Sequence, residues 1–155
     1  TLYKALEKGN YPEIGAFVSA SAIGIYPSSF EKYYDEDENQ VDNSFLGEVV
    51  AQWETETEKF NDLKLAVAKV RIGLVLASDG GALPKMAQPV KMYAGAAFAS
   101  GEQWQSWVHL TDLARIFLFT AENQLSGTYN GVAPNPVSQN KLIKEIAQVL
   151  KKPLF

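Results

Sequence analysis

The feature that most constrains the fold is a run of small and apolar residues, SASAIGI at positions 19–25, which follows Phe17-Val18 and precedes Tyr26. Residues 15–23 predict a short buried strand that ends in a glycine turn. In open α/β sheets, ligands bind beyond the carboxyl ends of the parallel strands. The run therefore predicts an α/β fold that presents the hydroxyl group of Ser21 at the rim of a crevice.

A second apolar run, residues 66–77, predicts another strand covered on both faces. Residues 44–60 between the two runs show helical spacing, with Asn43 or Ser44 as the N-cap. The preceding segment, residues 27–43, is polar and contains the acidic cluster 35–38. It predicts a solvated surface loop, and a lid over a ligand is the alternative.

The rest of the chain alternates in the same way. The opening segment predicts a helix that stops at Gly9. Spacing and turn residues predict the following further elements: a short helix over 82–88, a strand over 106–109, a helix over 111–122 capped by Thr111, a strand over 127–133 and an amphipathic helix over 137–150. No structure is predicted for 94–101. Alternating strands and helices are typical of α/β proteins.

Composition excludes several classes of function. The net charge of −4 and the pI near 5.0 argue against a nucleic-acid or anionic-membrane partner. The absence of Cys excludes a disulfide framework and a thiolate metal site, and a single His excludes a multi-histidine metal site. No apolar stretch is long enough to span a membrane, and no segment typical of a signal peptide opens the chain. We expect a cytoplasmic protein without a metal.

Six segments, in this order and at this spacing, resemble the short-chain dehydrogenase/reductase superfamily. The resemblance is to the atypical extended type, the epimerase family proteins that are similar to sugar-nucleotide epimerases, and it covers nearly the whole chain. The segments are SASAIG at 19–24, QWE at 52–54, RIGLVL at 71–76, GGALPKM at 80–86, GEQWQSWVH at 101–109 and VAPNPV at 132–137.

The resemblance implies an α/β fold that is the C-terminal portion of a Rossmann-type NAD(P)-binding fold. It also implies that residues 78–104 and 130–155 belong to a small substrate-binding region. The family begins with a glycine-rich turn that binds the pyrophosphate, and no such turn precedes residue 19 here. We therefore expect a chain truncated at both ends, lacking about 80 residues upstream. NADP or NAD is the expected cofactor of the full-length protein, with none bound by this chain alone.

The resemblance also implies roles for individual residues. Ser21 takes the place of the active-site serine, whose hydroxyl would bond the oxygen of the reacting carbonyl or alcohol; tight packing is the alternative. Tyr26 is a candidate phenolic acid, or else packs at the strand end. The candidate cofactor contacts are Ser19, Ala20, Arg71, Ile72 and Gly73. The alternative for the last three is a plain core strand with Arg71 reaching the surface.

The candidate substrate residues, by resemblance only, are Lys85, Met86 and Trp104, and each could equally be ordinary surface or core. The superfamily also uses a Tyr and a Lys four residues later for proton exchange. Here Leu46 and Val50 take those places, so the usual relay is predicted not to operate. His109 is expected to brace the start of a helix, with a catalytic role as the alternative.

Three hypotheses of function follow. The first is an NAD(P)-dependent epimerase- or reductase-like protein acting on a small substrate, nucleotide-linked in one version. The second, motivated by Leu46 and Val50, is a non-catalytic NAD(P)-binding protein with a regulatory or sensing role. The third is a stable interaction module. A truncated sheet would leave apolar surface exposed, which predicts a homo-oligomer, a chain that needs its missing portion, or a chain shortened by disorder or proteolysis. Trp53 and Glu54 are interpreted as a packing pair rather than an acid catalyst.

Overall fold

The computed structural model describes residues 2–9, 11, 13–93, 95 and 100–154. It divides the chain into two compact units. The first unit comprises Thr1–Ile72 and Ala114–Gly131, and the second comprises Gly73–Leu113 and Val132–Phe155. Helices are interspersed with strands, and the predicted α/β class is confirmed.

The elements come in the following order. They are α1 (Leu2–Lys8), β1 (Ala16–Ala22), a 3-10 turn (Ile23–Ile25), α2 (Phe45–Glu58), a second 3-10 turn (Lys59–Leu63), β2 (Ala66–Ile72), β3 (Leu74–Leu76), α3 (Ala82–Lys91), β4 (Trp104–Gln105), β5 (Trp107–His109), α4 (Leu110–Glu122), β6 (Gly127–Gly131), β7 (Val137–Ser138) and α5 (Gln139–Leu150). No helix of the described ranges is long and apolar enough to cross a membrane.

A parallel three-stranded sheet forms the centre of the first unit, in the order β1-β2-β6. The middle strand, β2, is largely covered: Ala68 and Val70 are both 0% exposed, and the strand also carries Lys69 and Arg71. The register aligns Ser21 with Arg71, and Arg71 with Asn130. Three polar residues therefore lie in a row across the sheet, near the carboxyl ends of its strands.

Helix α2 packs on β1 and β2. The Ser44 hydroxyl caps its start by accepting a hydrogen bond from the Gly47 amide at 3.3 Å. The buried face is Gly47, Val50, Glu54 and Thr57, which share one side of a helix. Gly47 itself is required by close packing, since a Cβ there would lie 2.2 Å from the Asp42 carbonyl oxygen.

The strand expected over 66–77 is in fact two strands. It breaks at Gly73, after which β3 pairs with β5 in the second unit. The reason is tertiary: a Cβ at Gly73 would lie 2.1 Å from the Ser106 carbonyl oxygen, which accepts a hydrogen bond from the Leu74 amide at 2.7 Å. The chain passes from one sheet to the next at Gly73, where its backbone packs directly on the backbone of Ser106.

Other boundaries also differ from the expectations. Helix α3 continues past residue 88, with Pro89 inside it. Helix α4 begins at Leu110, and the His109 Nδ1 accepts a hydrogen bond from the Thr111 amide at 3.2 Å. His109, not Thr111, therefore caps α4, which confirms the bracing role expected of it. Residues 94 and 96–99 of the unassigned segment lie outside the described residues.

The second unit has an apolar core between α3 and α5. Its buried members are Ala87, Val90, Leu142, Ile143, Ile146 and Ala147. The expected amphipathic helix is confirmed as α5, with the Ser138 hydroxyl accepting a hydrogen bond from the Lys141 amide at 3.3 Å. Two short strands that the sequence did not predict, β4 and β7, pair antiparallel in this unit.

Candidate functional site at the carboxyl ends of the parallel strands

A buried ion pair joins α2 to the central strand of the first unit. Arg71 Nε donates to Glu54 Oε1 at 2.8 Å, and Arg71 Nη2 donates to Glu54 Oε2 at 2.9 Å. Both residues are 6% exposed. Paired bonds of this kind fix the plane of the carboxylate as well as its position. Arg71 therefore does not reach the surface, and the alternative of a surface-directed Arg71 is wrong.

The protonation states of this pair follow from competing effects. Burial acts to raise the pKa of the Glu54 carboxyl, but hydrogen bonds from Arg71 and Ser21, together with the charges of Arg71 and Lys69, leave that pKa below its ordinary value. Burial acts to lower the pKa of Arg71, yet its bonds to Glu54 and Tyr26 leave that pKa raised. Both groups are charged at neutral pH.

The two candidate catalytic hydroxyl groups belong to the same network. Ser21 Oγ donates to Glu54 Oε1 at 2.6 Å. Tyr26 Oη accepts from Arg71 Nη1 at 2.8 Å and donates to Asn130 Oδ1 at 2.8 Å. The structure thus brings Ser21, Tyr26 and Arg71 together. Their catalytic and cofactor-binding roles stay predictions.

The polar loop over 27–43 is anchored to this network. The Tyr34 ring stacks on the Tyr26 ring, with centroids 5.4 Å apart and planes inclined by 5°. Glu36 Oε1 accepts a hydrogen bond from the backbone N–H of Asn130 at 2.6 Å. The segment is a surface loop without a strand or helix, as predicted. It also holds contacts with the site that a freely solvated charge run would lack.

The remaining predicted cofactor residues are distributed differently. Ser19 lies under α2, where its hydroxyl accepts from Thr57 Oγ1 at 3.1 Å. Ala20 points to the other face of the sheet and is exposed. Ile72 is half-buried at the end of β2. Gly73 belongs to the second unit, where its packing on Ser106 already accounts for a glycine.

The predicted substrate residues all lie in the second unit. Lys85 is exposed, and Met86 packs against the apolar core. Trp104 is 40% exposed on β4. A structural role accounts for Met86, and the substrate contacts of all three stay predictions.

The positions expected for the Tyr and Lys carry no group that could exchange a proton. Leu46 is 66% exposed on α2, and Val50 is 5% exposed. No three His, Cys, Asp or Glu side chains in the part of the chain described here are grouped so that they could hold a metal ion.

Sequence reasoning missed two members of the network, Glu54 and Asn130. The interpretation of Trp53 and Glu54 as a packing pair is wrong: Trp53 is 56% exposed, and Glu54 is buried and ion-paired. The signal for Glu54 was its place on one helix face with Gly47, Val50 and Thr57, opposite the strand that carries Arg71. No local pattern pointed to Asn130.

No family model matches the chain. Among curated proteins, it is 38% identical to an epimerase family protein of Staphylococcus epidermidis, over 99% of this chain and 51% of that protein. An epimerase family protein of Bacillus subtilis is also 38% identical, over 88% of this chain and 45% of that protein. The chain thus spans about half the length of the curated relatives it matches.

Solved structures show the same relationship. A human epimerase family protein solved with NADPH is 31% identical, with a TM-score of 0.86, over 99% of this chain and 52% of that one. A nucleoside-diphosphate sugar epimerase of Corynebacterium glutamicum is 31% identical, with a TM-score of 0.84, over 96% of this chain and 32% of that one. The fold is shared with a dTDP-glucose 4,6-dehydratase of Bacillus anthracis in complex with NAD, at 18% identity and a TM-score of 0.80. The match covers 98% of this chain and 50% of the dehydratase chain.

Proposed function

Since this chain belongs to the epimerase family over the half of those proteins that it matches, we propose that the protein binds NAD or NADP and acts as an epimerase- or reductase-like enzyme. In such chemistry the nicotinamide accepts or supplies a hydride, and the protein positions the substrate carbon against it. The proposed substrate is a small molecule, and one class of molecule that would fit this proposal is a nucleotide-linked sugar. We keep a cytoplasmic location as a prediction.

The observation that carries the proposal is the row of polar groups on the parallel sheet. Ser21, Arg71 and Asn130 are register neighbours near the carboxyl ends of three strands, and Tyr26 joins them from the turn after β1. This is the edge at which open α/β sheets bind ligands. A hydrogen-bonded polar cluster at such an edge, with the buried ion pair of Glu54 and Arg71 inside it, is a candidate functional site with a physical rationale.

Because this sequence carries no glycine-rich turn for the phosphates, the nicotinamide end of a dinucleotide is the part that we propose these residues contact. Ala20 is exposed, and a Cβ built at Gly24 would meet no atom within 4 Å, so the surface beyond β1 is open. Ala20 and Ile72 are the proposed contacts from the first unit. The chain contains no glycine-rich turn of the kind that binds a pyrophosphate.

Within the first unit, the chain's own side chains would act by holding two hydroxyl groups in place. Glu54 fixes the Ser21 hydroxyl, and Arg71 with Asn130 fixes the Tyr26 phenol. Since Leu46 and Val50 cannot exchange a proton, a proton that accompanies hydride transfer would have to pass through another group. Tyr26 is the candidate for that role.

The second candidate function is a non-catalytic NAD(P)-binding protein. Its support is the pair of apolar residues, Leu46 and Val50, together with a network that already satisfies the hydrogen bonds of both candidate hydroxyl groups. This candidate predicts cofactor binding without turnover.

Two measurements test the proposal and separate the candidates. NADPH binding is measured by calorimetry on this chain and on a form extended by the encoded upstream sequence, and NADPH oxidation is followed across a panel of carbonyl compounds. We expect binding and turnover by the extended form, and loss of turnover with retained binding in Ser21→Ala. Binding without turnover would favour the second candidate. The absence of binding by the extended form would refute both.

A further inference from the structure

The direction of the hydrogen bond between Ser21 and Glu54 is fixed by chemistry. A serine hydroxyl has one proton and two lone pairs, whereas an ionised carboxylate can only accept. The distance from Ser21 Oγ to Glu54 Oε1 is 2.6 Å, typical of a hydroxyl that donates to a charged acceptor. The proton of Ser21 is therefore directed into the protein, toward Glu54.

The Glu54 carboxylate is held in place as the acceptor of this hydrogen bond. Its two oxygens are held by two nitrogens of Arg71, and Lys69 Nζ lies 3.4 Å from Oε2. The two cations keep the carboxylate charged, and the arginine fork keeps Oε1 aimed at β1. Glu54 is thus placed to set the orientation of the Ser21 hydroxyl.

The Tyr26 hydroxyl also donates its hydrogen bond to a group within the protein. Arg71 has donors only, so the bond between Arg71 Nη1 and Tyr26 Oη leaves the phenol proton for Asn130 Oδ1. Both candidate catalytic hydroxyl groups therefore direct their protons to acceptors within the protein. What Ser21 retains for a ligand is its lone pairs.

We propose that Ser21 faces its ligand as a hydrogen-bond acceptor, oriented by Glu54 as a positioning residue, so that the group bound there is a donor such as a hydroxyl. This narrows the expectation that Ser21 would bond either an alcohol or a carbonyl oxygen. The alcohol form of a substrate is then bound here in preference to its ketone form. The ligand part rests on the proposed function, whereas the orientation of the hydroxyl does not.

The orientation is tested by thiol titration, because the chain has no cysteine and a single introduced thiol reports without background. In Ser21→Cys, a thiol that donates to Glu54 resists ionisation. At pH 8.5 its thiolate fraction, followed by ultraviolet absorbance, should be about tenfold lower than that of an exposed Ser126→Cys control. Burial at this position also lowers the thiolate fraction, so the diagnostic result is a rise in that fraction on adding Glu54→Gln, which removes the charge of the acceptor. Equal ionisation of the two thiols would overturn the proposal.

A second measurement covers the case in which the larger sulfur disturbs the site. In the unmodified chain with labelled serine, the Ser21 hydroxyl proton should exchange slowly enough to be observed by NMR, and should exchange fast in Glu54→Gln. Fast exchange in the unmodified chain would also overturn the proposal.

The ligand class is tested with cyclohexanol and cyclohexanone, which share a ring and differ in donor and acceptor character. Saturation-transfer NMR with the first-unit resonances saturated should give a signal several-fold stronger for cyclohexanol, and Ser21→Ala should abolish the preference. An equal or stronger signal for cyclohexanone would overturn the ligand part. Failure of cofactor binding by the extended form would refute the proposed function and leave the thiol result standing.

Discussion

The two units join their helices to neighbouring elements by different physical means. In the first, α2 is held to the sheet by the buried ion pair of Glu54 and Arg71 and by hydroxyl contacts. In the second, the core between α3 and α5 is built of apolar side chains such as Val90 and Ile143. Apolar packing is the cheaper way to hold a helix, because burying a charge costs desolvation energy. The costlier arrangement, placed where α/β proteins bind ligands, points to function rather than stability.

The largest effect is expected from breaking the ion pair on one side. Arg71→Met leaves Glu54 buried without its two arginine hydrogen bonds and with only the Lys69 ammonium, 3.4 Å from Oε2, as a charge partner among the described residues, which should lower the free energy of unfolding by about 3–5 kcal/mol. Urea unfolding measures it. The double variant Arg71→Met/Glu54→Met is the control and should lose much less than the single variant, since no uncompensated charge remains. A single variant within about 1 kcal/mol of the original would contradict a buried pair.

The apolar core of the second unit should respond by a different mechanism. Ile143 is 2% exposed between α3 and α5, and Ile143→Ala should cost about 2–5 kcal/mol through lost transfer energy and the cavity it leaves. Val149 is on the same helix but 79% exposed, so Val149→Ala should stay within about 0.5 kcal/mol. Urea unfolding that gave the two variants equal stabilities would show that this core is not packed as described.

Only the first unit should show a pH dependence from its helix–sheet contact. Because the folded pKa of Glu54 lies below its unfolded value, the stability it contributes is present above the unfolded pKa, about 4.3, and is lost as the pH falls through the folded pKa. The advantage of the original chain over Glu54→Gln, measured by urea unfolding from pH 7 downward, should shrink with acidification. Glu56→Gln, on the 69%-exposed Glu56 side chain, is the matched control at a surface carboxylate.

The point where the chain passes from one unit to the other depends on Gly73. Gly73→Ala forces a methyl group against the Ser106 carbonyl and should cost about 1–3 kcal/mol in urea unfolding. Gly24→Ala is a matched control, since nothing lies within 4 Å of its Cβ position. If both variants were tolerated equally, the close backbone approach would not be what separates β2 from β3.

The elements that the sequence could predict are those with a local pattern. Strand β1, helix α2 with its Ser44 cap, and helix α5 each carry a periodicity or a capping residue that acts over a few positions. The break at Gly73 had no local signal, because it arises from Ser106, more than thirty residues along the chain. Strands β4 and β7, of two residues each, are too short to show a period.

The site was predictable to the same extent. Ser21 and Tyr26 are candidates from the sequence because they lie at the end of a recognisable strand and just beyond its glycine turn, and Arg71 is a candidate through the family resemblance of the next strand. Their partners were not, because Glu54 is 33 residues from Ser21 and Asn130 is 104 residues from Tyr26. Side-chain pairing across a sheet depends on register, which the sequence of one strand does not contain.

The smallest expected change in stability comes from removing a helix N-cap, and it should be the same in both units. Ser44 caps α2 and Ser138 caps α5, each by accepting from an amide three residues later at 3.3 Å. Replacing either by Ala should cost about 1 kcal/mol in urea unfolding, since one helix amide loses its partner. Glycine at the same positions should cost only a few tenths of a kcal/mol. A loss at Ser44 several times that at Ser138 would mean that the cap of α2 also supports the charged cluster, and that the contrast between the units extends to the end of the helix.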